Sequence, residues 1–112
     1  MTNEVAATIA LAPDVLWSTK GSAFYWVVGY LATRLPTPEA KRRLREIDDN
    51  NLGWLALADF PPQVRDQMLR KIRFDLLADA QRRLPDTPHR EEFVNLLRDL
   101  VDRADSWAGQ RA

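Results

Sequence analysis

The sequence predicts an all-α protein, a compact single-domain bundle of four to five helices spanning residues 1–112. Three observations point there. Pro13, Pro36, Pro38, Pro61, Pro62, Pro85 and Pro88 cut the chain into blocks of helical length, and proline suits the first turn of a helix, where the N–H it lacks has no intrahelical partner. Apolar residues in the later blocks recur at three- and four-residue spacing. The chain is also long enough for a core of its own, since folding at this mass hides roughly two thirds of the extended surface.

The opening residues are weakly patterned. Residues 1–12 are expected to form a flexible arm, or part of a short helix ending near Trp17. Ser22 is placed to cap a helix over residues 23–35, with Phe24, Val27, Val28 and Leu31 on one face and Tyr25, Trp26 and Tyr30 on the others. Aromatic and β-branched residues also suit strands, but no partner strand is evident, so helix is preferred. Thr37 and Pro38 read as a cap and first turn. The helix that follows, to about Asp48, turns Ala40, Leu44 and Ile47 inward. Residues 52–58 are apolar nearly all round, which predicts a short central helix. The longest helix is expected over 62–84, with Met68, Leu69, Ile72, Leu76 and Ala80 as its stripe. Phe74 lies about 160° from Ile72 at about 100° per residue, so it meets a second neighbour or solvent. The last helix, 88–108, carries Phe93, Leu97, Leu100 and Ala104, with Gly109 as C-cap and 109–112 as a disordered tail.

Composition narrows the function. The absence of cysteine removes disulfides, thiolate catalysis and Cys-ligated zinc. Sixteen basic and sixteen acidic residues give no global attraction to nucleic acid or anionic lipid. The start, Met1-Thr2-Asn3-Glu4, lacks the basic residues of an export signal, and the longest apolar run, residues 23–32, is half of the about 20 residues a span requires. A cytoplasmic location is expected.

No catalytic motif stands out. His89 is the only histidine and falls in the first turn of the last helix. No serine sits in a G-x-S-x-G elbow. The run Asp48-Asp49-Asn50-Asn51-Leu52-Gly53 has a superficial calcium-loop spacing, but Leu52 occupies a ligand position. No cofactor or metal is expected. Charge is uneven: residues 61–84 hold six basic and three acidic side chains, and residues 85–112 hold six acidic and four basic.

The leading expectation is a non-catalytic protein-binding protein, by analogy a small immunity- or antitoxin-type neutraliser that masks a partner's active surface. The partner would be another protein, a basic toxin or enzyme domain. Candidate partner-binding residues are Tyr25, Trp26 and Tyr30, together with Glu91, Glu92, Asp99, Asp102 and Asp105. The same three rings are the candidate face for a homodimer, since Trp and Tyr bury large areas while keeping a polar handle. One alternative is a helical DNA-binding regulator using Arg42/Arg43 or Arg70/Lys71/Arg73. It is disfavoured because these groups scatter rather than forming a single stripe. Another is a small-ligand-binding protein with a pocket near Trp26, Tyr30 and Trp54.

Overall fold

Alternation, not a helical stripe, organises the chain's first described residues. The computed structural model describes residues 6–111. In it, Ala7 and Ile9 are buried while Ala6 is exposed and Thr8 half-buried, and from Ile9 to Ala12 the strand is buried on both faces. This period of two is that of a strand. β1 (Ala6–Ala12) pairs antiparallel with β2 (Val15–Lys20), and β3 (Trp54–Ala56) joins the other edge of β1 in parallel. The predicted all-α bundle is therefore corrected to a mostly helical α+β fold around a mixed three-stranded sheet of order β2-β1-β3. The expected arm divides: Ala6–Ala12 is the central strand, and residues 1–5 lie outside the described residues.

Ile9 faces Trp17 on one side and Leu55 on the other, and all three are buried in the core. On the opposite face Thr8 lies between Ser18 and Trp54, its Oγ1 2.9 Å from Ser18 Oγ. The hairpin turns at Pro13-Asp14. Two-residue hairpins favour turns with positive φ, which proline cannot adopt. The register shifts between Ala10 and Ala12, and this bulge lets a Pro-Asp turn join the strands.

α1 (Gly21–Arg34) follows β2 directly and buries Phe24, Val27, Val28 and Leu31 over the inner sheet face. Its N-cap is Lys20; Ser22, the expected cap, is the second residue of the helix. α2 (Pro38–Asp49) packs on α1 through Ala40, Leu44 and Ile47. The expected helix over 52–58 is the second correction. Asn51 and Gly53 adopt φ of 54° and 69°, values that end a helix. Beyond them Leu55 and Leu57 point inward while Trp54 is exposed, giving β3 and a 3-10 turn, Leu57–Asp59.

α3 (Pro62–Arg70), a π turn (Lys71–Asp75) and α4 (Leu76–Arg83) form one run. Met68, Leu69, Ile72, Leu76 and Ala80 are buried along it, and Phe74 is 65% exposed within the π turn. α5 (Pro88–Arg111) buries Leu97, Leu100, Val101 and Ala104 against α4, the π turn and β2. Gly109 lies within α5 rather than capping it, and helix continues through the expected tail to Arg111. No described helix is long and apolar enough to cross a membrane.

Candidate interaction surface

The candidate residues on α1 are largely taken up inside the molecule. Trp26 and Tyr30, one helical turn apart, stack with centroids 5.5 Å apart and planes 8° from parallel. Phe93 of α5 meets Trp26 edge-on at 6.0 Å, so the stack joins α1 to α5. Arg34, a further turn along, holds its guanidinium 5.3 Å from the Tyr30 ring centroid. Tyr30 itself is 3% exposed, and its hydroxyl donates to Asp79 Oδ2 at 2.6 Å. Asp79 is also buried and ion-pairs with Arg34 at 3.4 Å and with Arg82. Burial raises the Tyr30 pKa above its ordinary value; Asp75 adds to the shift, while Arg34, Arg82 and Arg83 oppose it. Tyr25 is half-buried against Phe24, and its hydroxyl oxygen accepts the Gly53 N–H at 2.9 Å. These side chains tie α1 to α4, α5 and the loop before β3. Trp54 lies on the far face of the sheet from α1, so it does not enclose a shared space with Trp26 and Tyr30.

The acidic candidates lie together on the outer side of α5. Glu91, Glu92, Asp99, Asp102 and Asp105 are all exposed. Arg103 Nε pairs with Asp99 at 3.2 Å, and Arg73 Nε with Asp105 at 2.8 Å. Glu91, Glu92 and Asp102 enter no ion pair among the described residues.

Two exposed apolar side chains lie near the C-terminal part of this strip, around Asp99, Asp102 and Asp105. Arg103 Nη1 donates to the Leu16 carbonyl at 3.0 Å, fixing α5 to β2, where Leu16 is 42% exposed. Across the helix, the Arg73 that holds Asp105 lies 4.7 Å from the ring centroid of Phe74. A shallow hollow of about 350 Å³ between β2 and α5 is lined in part by Val15, Asp99, Asp102 and Ser106. The face thus presents carboxylates between two apolar edges, each braced by an arginine. The acidic residues were readable from the sequence. Leu16 was not, because its place beside α5 depends on a strand read as part of an arm. Asp79 was also missed; its signal was an acidic residue adjoining Ala80 on the inner stripe.

The other candidate chemistry is dispersed. His89 is exposed in the first turn of α5. No group of three or more metal-ligating side chains gathers among the described residues. Of the basic groups, Lys71 pairs with Asp75, Arg73 with Asp105, and Arg43 lies over Phe60. Compared with protein-family models, curated proteins and solved structures, the chain matches none of them.

Proposed function

We propose that the chain is a non-catalytic protein-binding protein whose α5 face docks on a basic partner. The carrying observation is the juxtaposition of Asp102, which enters no ion pair among the described residues, with exposed Leu16 and Phe74, on a helix whose outer side also carries Glu91 and Glu92. Apolar side chains at such a surface supply affinity, each contributing about 1.5–3 kcal/mol when fully buried. Unneutralised carboxylates supply steering and exclude acidic partners. This division of labour suits a neutraliser of the immunity or antitoxin kind: the acids meet a toxin's substrate-binding cations, and the apolar edges exclude water around them.

The test is a binding titration with the purified product of the adjacent gene. A complex with about micromolar or tighter affinity is expected, with an association rate that falls as salt rises. Replacing Asp102 with Lys should slow association at least about tenfold at low salt. No complex at micromolar concentrations, or a complex indifferent to Asp102 and to salt, contradicts the proposal.

A further inference from the structure

The two edges of the sheet end differently. At β2 the edge is met by α5, where Arg103 Nη1 donates to the Leu16 carbonyl. At β3 only β1 is packed extensively against the strand. The parallel ladder takes the Thr8 N–H to the Gly53 carbonyl and aligns Thr8 with Trp54 and Ala10 with Ala56. This register spends the N–H and C=O of Leu55 on β1 and turns those of Trp54 and Ala56 off the sheet. The Ala56 carbonyl then starts the 3-10 turn over Leu57–Asp59, whose bonds run from each N–H to the third residue before it. Trp54 is thus the residue of β3 with both backbone groups directed outward and uncommitted among the described residues, and its side chain is exposed beside them.

Residues 50–58 carry no charged side chain, in a chain where 29% of residues are charged. Leu52, Trp54 and Ala58 are exposed within this segment. Edge strands are commonly protected by lysine, proline or a bulge, and β3 has none of these. We infer that the β3 edge pairs with the β3 edge of a second copy of this chain. A two-fold axis through Trp54 runs the strands antiparallel, and each Trp54 N–H donates to the Trp54 carbonyl of the other copy. The indoles lie side by side on the outer sheet face, a favoured cross-strand pair. Neutrality selects this occupant. The axis brings every residue near its own copy, so any charge along the edge would meet its like, and residues 50–58 supply none. So short an edge buries less than the about 1,200 Å² of stable interfaces, which makes the dimer weak and exchanging. β3 lies across the sheet from β2 and α5, so the pairing leaves the α5 face free and does not rest on its role.

Sedimentation equilibrium of the full chain should show a monomer–dimer equilibrium with a dissociation constant of about 0.1 mM. That constant should barely change with salt, since no charge enters the contact. Trp54→Lys sets like charges on the two-fold axis at an exposed site and should weaken the dimer at least about tenfold. In an equal mixture of labelled and unlabelled chain, isotope-filtered NOEs should join the two Trp54 indoles, a reading that needs no substitution. Three results overturn the inference: a strict monomer at about 1 mM, a dimer unaffected by Trp54→Lys, or intermolecular NOEs confined to α5, Leu16 and Phe74.

Discussion

At the scale of single residues, Asp79 and Tyr30 form a polar join in a largely apolar core. The hydroxyl donates to a buried carboxyl group that two arginines also contact. Tyr30→Phe removes that donor and should cost about 1.5 kcal/mol, measured by urea unfolding. Asp79→Ala should cost more, about 2–3 kcal/mol, with Arg34 and Arg82 limiting the loss by returning to water. The pH dependence has a definite sign. Because the Tyr30 pKa is raised in the folded state, its contribution is fully present below the unfolded value of about 10 and is lost as pH rises through the folded value. The stability difference between the native protein and Tyr30→Phe should therefore stay flat to about pH 10 and shrink above it; a difference that grows above pH 10 would count against this account. Thr19 presents the opposite case. It is buried on the inner sheet face, and its hydroxyl has no hydrogen-bond partner among the described residues. Thr19→Val keeps the β-branch and removes the orphan, so a gain of about 0.5–1 kcal/mol is expected.

At the scale of elements, helix faces were legible because their periodicity is strong. Ala40, Leu44 and Ile47 on α2, and Leu97, Leu100 and Ala104 on α5, are buried as their spacing implies. The strands were obscured for identifiable reasons. β1 reads Ala-Ala-Thr-Ile-Ala-Leu-Ala, and alanine on both faces blurs the alternation while favouring helix by propensity. The Pro13-Asp14 pair was the available hairpin signal. β3 is three residues long, and its parallel pairing joins segments more than forty residues apart in sequence, which no local pattern encodes. Gly53 makes that pairing reachable. A Cβ there would meet Ala7 Cβ at 3.9 Å and the Tyr25 hydroxyl oxygen at 4.0 Å, ordinary contacts, so the strain is in the backbone at φ 69°. Gly53→Ala should destabilise by about 1 kcal/mol. Gly53→Asn should cost less, since asparagine tolerates positive φ; equal losses would place the cost in packing instead.

At the scale of the molecule, acidic charge and two of the four exposed large apolar side chains, Leu16 and Phe74, meet near the end of α5, while Leu52 and Trp54 are exposed around β3. Three of the eight partner candidates, Tyr25, Trp26 and Tyr30, serve internal joins. The five acids remain outward, and those from Asp99 to Asp105 gain Leu16 and Phe74 nearby once the sheet and π turn are in place. That convergence was invisible in the sequence because Leu16, Phe74 and Asp102 belong to three different elements. Phe74→Ala, at a side chain 65% exposed, should change folding stability by less than about 0.5 kcal/mol, while combined with Leu16→Ala it should weaken the partner complex at least about tenfold. The most direct measurement is the NMR footprint of the adjacent gene's product on the labelled protein. The account predicts broadening or shifts at Leu16, Phe74 and the outer residues of α5 from Glu91 to Asp105, with α2 unaffected. A footprint centred on Leu52, Trp54 and α2 that leaves α5 untouched would contradict it.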